Sequence, residues 1–253
     1  MRSFAFTAAF TALLAPAALA QPAEINVFTP GVVYNAGIQD LAASYTKETG
    51  VKVTIKGEGM GQLVNDVKKG TPIADIVVAP ISFMDGMQAE GSVVPGTTQD
   101  IGRVYVGLAV KKGAAHPDIS TPQKLAAALK AGGLVLYSNP AGGSMEARII
   151  DDMLHQYPYF VGVKTKISTK GEGGEALVKG EGDMALQLIC EVLNHPELEL
   201  VGIVPPELHA YIDTQVAVPA RSTQVDAAKA FIAYMLRSDH TAIWKSKGLE
   251  RKS

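Results

Sequence analysis

The sequence predicts an α/β protein: mostly parallel sheets flanked by helices, in two domains joined by two chain crossings. Two observations carry this. Short apolar runs alternate with helix-patterned segments at regular spacing, as in Ile25–Phe28, Val51–Ile55 and Ile76–Ala79. Glycine- or proline-marked turns also close each run, at Thr29-Pro30-Gly31, Gly57–Gly61 and Pro80.

In chain order, Ile25–Phe28 is the first strand, and a helix follows with Ile38, Leu41, Ala42 and Tyr45 on one face, ending near Gly50. Val51–Ile55 alternates as a strand. After its glycine turn comes a helix carrying Leu63, Val64 and Val67, and Ile76–Ala79 is the third strand, stopped by Pro80. Arg103–Val110 reads as a long strand crossing between the domains. Thr121-Pro122 opens an Ala- and Leu-rich helix.

Leu134–Arg148 is the most informative stretch. Leu134–Tyr137 is a buried strand, and Ser138-Asn139-Pro140 breaks it, because proline fixes its own φ and pushes Asn139 towards extended backbone. Gly142 and Gly143 allow a tight turn, and Ser144 caps a helix running through Ile149, Ile150, Met153 and Leu154. Unpaired N–H groups and roughly half a positive charge at such a helix start suit an anion. Without a ligand, the same residues make an ordinary strand-to-helix turn.

Lys164–Ile167, Asp183–Leu188, Leu198–Val204 and Thr214–Val218 complete the strands, the last returning to the first domain. Gly171–Gly174 is a further glycine turn. Ala227–Leu236 and Thr241–Lys247 are helices. In sheets of this kind ligands sit beyond the carboxyl ends of strands. Here those loops are Thr29–Val33, Gly57–Gln62, Ala79–Ser82 and Ser138–Ser144.

The first 20 residues predict a signal peptide: Arg2 precedes an apolar run closed by Ala18-Leu19-Ala20, with cleavage after Ala20 and export to the periplasm. Pro16 and the shortness of the run argue against a membrane anchor, and the mature chain is expected to be soluble, without membrane insertion. Without Arg2 there are 22 basic against 25 acidic residues, which leaves no footprint for nucleic acid. Cys190 is the only cysteine, so neither an internal disulfide nor a Cys/His metal cluster can be written, and no cofactor is expected.

The order from Ile25 to Gly248 resembles the periplasmic solute-binding proteins of ATP-driven importers, in the molybdate-binding-protein-like group. The residues that carry this are Ile25–Gly31, Ala74–Val78, Arg103–Val110, Ser138–Ser144, Leu186–Glu191, Val201–Leu208, Ala230–Ile232 and Lys247–Leu249. The resemblance implies the type II periplasmic binding fold: two lobes joined by two hinge strands and closing on a ligand. Lobe 1 comprises residues 21–102 and 213–253, and lobe 2 residues 103–212. It also implies a monomer that hands its ligand to an inner-membrane ABC permease.

The chain departs from molybdate binders where they present serines after the first two strands. It has Thr29-Pro30-Gly31 and Glu58-Gly59-Met60-Gly61 instead, and Glu58 repels a dianion. Leu186–Glu191 and Val201–Leu208 resemble a branch typified by aconitate isomerase, so an organic (poly)carboxylate is the expected ligand, ahead of molybdate or tungstate.

Two function classes follow. A carrier needs only ligand-binding groups: Thr29, Gly31, Gly61, Ser82, Ser138, Gly142, Gly143, Ser144 and Gln187, with Arg103 or Arg148 as a bidentate partner. Each arginine has an alternative, Arg103 as an ion pair at the hinge and Arg148 as a solvated helix residue. An isomerase moving a proton along an allylic carbon needs a base and an acid, for which Glu58 and Glu191 are the candidates. His155, His195 and His209 have no triad-like partners and read as surface residues.

Overall fold

The computed structural model describes residues 24–168 and 171–252. The predicted signal peptide and its cleavage site lie outside the described residues.

The elements follow the expected alternation. β1 (Glu24–Thr29) leads into a short helix α1 (Gly31–Val33), and after a kink at Ala36 and Gly37 comes α2 (Gln39–Thr49). β2 (Lys52–Gly57), α3 (Met60–Lys69), β3 (Ile76–Pro80) and α4 (Ile81–Ala89) complete the first half. β4 (Gln99–Lys111), α5 (Pro122–Gly132), β5 (Leu134–Tyr137), α6 (Met145–Gln156) and β6 (Lys164–Ile167) follow. Then come α7 (Gly173–Val178), β7 (Met184–Leu188), α8 (Ile189–Val192) and β8 (Leu198–Ile203). β9 (Tyr211–Ala217), α9 (Val225–Met235), α10 (Thr241–Ser246) and β10 (Leu249–Arg251) end the chain.

The periodicity dictates these elements. The residues of α2 at helical spacing, Leu41, Ala42 and Tyr45, are the ones it buries. β3, an apolar run, and β7, apolar but for Gln187, are buried along their whole length, because helices cover both faces of the sheet. Thr121 accepts the Lys124 N–H, and Pro122 stands at the first helical position of α5.

The strand order is β2-β1-β3-β9-β4-β7-β5-β6, with β10 and β8 also paired to β4. β1 pairs in parallel with β2 and β3, and β5 with β6 and β7. β4, β8, β9 and β10 make antiparallel pairings, so each parallel core is extended by antiparallel strands. The 13-residue β4 is the organising strand: its first half, Gln99–Tyr105, pairs with β9 and β10, and from Val106 onward it pairs with β7 and β8. Gly102 stands where β10 crosses β4; a Cβ there would lie 2.2 Å from the Glu250 carbonyl oxygen, so only glycine fits.

Beside the change of partners sits an ion pair. Arg103 Nε donates to Asp213 Oδ1 (2.7 Å) and its terminal nitrogen to Oδ2 (2.9 Å), while the guanidinium lies 3.4 Å from the Tyr211 ring centroid. Burial pushes Asp213 up, but hydrogen bonds from Arg103 and Lys252 outweigh it and hold the carboxyl below its ordinary value. Removing one partner strands a half-buried charge, so Asp213→Ala is expected to destabilise the protein by about 1–3 kcal/mol. Thermal melts should show Tm several degrees lower; an unchanged Tm would mean that the pair contributes nothing net.

Candidate functional site

Parallel strands deliver their carboxyl ends to one side, and here the helices that follow them begin at a single cleft. The N-cap residues of α1, α3, α4, α6 and α8 are Pro30, Gly59, Pro80, Ser144 and Leu188. All five line one cleft of about 290 Å³. The first N–H groups of each helix lack intrahelical acceptors, and the three longer helices, α3, α4 and α6, bring the positive ends of their dipoles.

The turn before α6 is built as its residues dictate. Asn139 Oδ1 accepts the Ala141 N–H (3.0 Å), and Pro140–Gly142 form a single 3-10 turn. Gly143 takes φ +84°, and Ser144 Oγ then accepts the Ala147 N–H (3.3 Å). Nothing lies within 4 Å of where a Gly143 Cβ would be, so backbone conformation, rather than crowding, calls for glycine there. Val32, Met60, Met145, Leu188 and Ile212 add apolar walls.

Three acidic residues line this space: Glu58, Glu146 and Glu191. Glu146 is 5 % exposed; its Oε2 accepts the hydroxyls of Ser138 and Ser144, each at 3.4 Å, and its Oε1 has no partner among the described residues. Glu191 accepts the amide N–H of the fully buried Gln187, whose own oxygen is held by the Gly174 N–H at 3.2 Å. Glu58 pairs with Lys56 through Oε1, and its Oε2 is buried without a partner among the described residues. Among the described residues lining the cleft there is no lysine, arginine or histidine.

Burial first, then the negative charge of Glu172, pushes Glu146 up to about 8, against the pull of the two serine hydroxyls. Burial, followed by Glu146 and Glu172, pushes Glu191 well above the carboxylate range. Glu172 is itself raised, chiefly by burial, with His195 drawing it back. Neighbouring carboxyls in one desolvated place do not all ionise. Burial thus favours the neutral forms of Glu146 and Glu191 at neutral pH.

The expected site residues distribute as follows. Gly31, Gly142, Gly143, Ser144, Glu58 and Glu191 line the cleft. Ser138 and Gln187 stand behind it, donating to Glu146 and Glu191. Thr29 is buried at the end of β1, with its hydroxyl on the Pro30 carbonyl (3.1 Å). Gly61 is an exposed residue of α3 next to the lining residue Met60. Ser82 opens onto a neighbouring hollow shared with Asp85, Tyr211 and Asp213. Arg103 is engaged by Asp213, and Arg148 is exposed on α6; neither lines the cleft.

Glu146 went unread in the sequence. An acid in the first turn of a capped helix is an ordinary dipole partner, and nothing local shows that it is buried. The signal available was its place two residues after Ser144 in the glycine-rich stretch.

The raised Glu146 has a consequence for stability. Between about 4.5 and 8 the native state holds a proton that the unfolded chain releases, so stability is lost as pH rises through that window. Thermal melts from pH 5 to pH 8 should show Tm falling, with a shallower fall in Glu146→Gln. Equal slopes in the two proteins would locate the titration elsewhere.

Comparison with known proteins agrees with this architecture. The "Aconitate isomerase" of a Pseudomonas species is 27 % identical over 241 residues, spanning 93 % of this chain and 91 % of that protein. A substrate-binding domain assigned to a molybdenum ABC transporter of Clostridium difficile superposes with a TM-score of 0.75 at 18 % identity, covering 91 % of this chain and all of that domain. The periplasmic molybdate-binding protein of Azotobacter vinelandii gives 0.69 at 16 % identity, covering 90 % and 100 %. Residues 25–250 match the family described as bacterial extracellular solute-binding protein. With its two parallel cores joined through β4 and its helices starting at one cleft, the chain belongs to that family of bacterial extracellular solute-binding proteins.

Proposed function

We propose that this protein is a periplasmic carrier that captures a small organic (poly)carboxylate in the cleft and delivers it to an ABC permease. The observation that supports this reading is the pairing of backbone donors with apolar walls. Helix starts supply N–H groups for carboxylate oxygens, while Val32, Met60, Met145, Leu188 and Ile212 offer apolar contact to a carbon skeleton. A molybdate or tungstate ion has no skeleton to bury. On this reading the halves that meet along β4 are the two lobes, closing about the strands near Arg103 and Asp213.

A second reading is favoured by one specific observation. Three cleft carboxyls, with Glu146 raised to about 8, meet the requirement of an allylic proton shift for an acid and a base that operate near neutrality. The aconitate isomerase relative points the same way. On that reading Glu58 and Glu191, joined by Glu146, are the groups that exchange protons with the ligand.

Purified protein incubated with cis- and trans-aconitate and followed by proton NMR separates the two. The carrier reading expects binding without interconversion, and steady conversion would replace it with the isomerase. In the same assay Gly143→Val should weaken binding about tenfold or more, because φ +84° is strained for a branched side chain that also projects beside the ligand. Undiminished affinity in a folded variant would move the site away from this turn.

A further inference from the structure

The cleft poses a physical question that the carrier reading leaves open: how a site lined by three acids and no cationic side chain among the described residues accepts an anion. Hydrogen-bond bookkeeping answers it. Glu146 Oε2 is already an acceptor, fixed by two hydroxyl donors that arrive from the end of β5 and from the cap of α6. Its Oε1 is unpartnered among the described residues, and a side chain in this position is 95 % buried. A carboxyl whose one oxygen accepts two hydroxyls and whose other is buried in the cleft wall without a partner among the described residues has the pattern of a neutral acid, with an O–H available to a ligand. A buried ionised oxygen left without any donor would carry its full desolvation penalty.

We infer that Glu146 is a ligand-binding residue that donates a hydrogen bond to a carboxylate of the ligand, so that anion and proton occupy the cleft together. This rests on the organic-acid reading above and deepens it. A short hydrogen bond from a neutral acid to a carboxylate replaces the arginine that such sites otherwise use.

Ser138 and Ser144 donate to Glu146; Glu172 at the cap of α7 and Glu191 of α8 act on its charge, and Cys190 feels all three acids. Behind them His195 and Glu175 face Glu172, and Lys56 neutralises Glu58. With Glu146 pushed up to about 8 by burial and by Glu172, its titration is expected within a range where binding can be measured.

The test is titration calorimetry with trans-aconitate between pH 7.5 and 9.5, in buffers of different ionisation enthalpy. The ligand's own carboxylates stay ionised throughout this range. For the parent, affinity should fall by roughly tenfold per pH unit above the midpoint, with uptake of about one proton at pH 9. Glu146→Gln, whose amide donates at every pH, should show a flat profile, take up no proton from this position and bind more tightly than the parent at pH 9.5. Ser138→Ala removes a hydroxyl that favours the ionised form, so its midpoint should move to higher pH, a shift opposite to what general damage would give. Binding with a flat parent profile, or with the same slope in Glu146→Gln, would overturn the assignment while leaving the organic-acid reading intact. No binding of trans-aconitate by the parent at pH 7.5 would overturn the organic-acid reading and this inference with it.

Discussion

Everything in the cleft depends on one constraint: five helices start in the same small space. Their N-caps converge because the strands before them run towards one side, and each helix start leaves N–H groups without internal acceptors. The sheet order fixes where the helices begin, and the helix starts fix the sign of the local potential. That potential supports acidic side chains at the cleft, with Glu146 and Glu191 in the first turns of α6 and α8. Desolvation opposes it, and burial is the first cause of the rise in both groups. Burial outweighs the dipoles, so the neutral forms of Glu146 and Glu191 are favoured in a place whose helix starts favour negative charge, which on the proposed reading is supplied by the ligand.

Much of this was legible in the chain. Apolar runs and turn residues place β1, β3, β5 and β7, because a strand covered on both faces is mostly apolar, Gln187 of β7 being an exception that the cleft explains. The stretch around Pro140, Gly143 and Ser144 announces a strand, a turn and a capped helix, since proline, left-handed glycine and a capping hydroxyl each have one local use. What local pattern cannot carry is partnership across long separations. Arg103 and Asp213 are 110 residues apart, and only the meeting of β4 with β9 makes them a pair. The same holds for the antiparallel additions to each parallel core. α4 and α8 are short or weakly amphipathic segments directly after strands, where an apolar run does not show its own end. Glu146 escaped for a related reason: burial is a property of the neighbours.

The two halves of the molecule also meet through α8, and this bears on how the acids behave. The Cys190 thiol donates to the Val32 carbonyl of α1 (3.4 Å), across 158 residues. Gly248, at φ +86°, packs so closely on the same turn that a Cβ would sit 2.9 Å from the Cys190 amide nitrogen. Glu191 is the next residue, and its position is set from the other side by Gln187, itself locked by Gly174. α8 is thus clamped between the start of the first half, the end of the chain and β7. A displacement of one half against the other would move Glu191 relative to Gln187 and Glu146, altering both the desolvation and the mutual repulsion that keep these acids neutral. On the carrier reading, opening the cleft would admit water and lower the cost of ionisation, and closing it would raise that cost. Geometry and protonation would then be one linked equilibrium, on which a ligand carboxylate accepting from Glu146, as proposed, would draw.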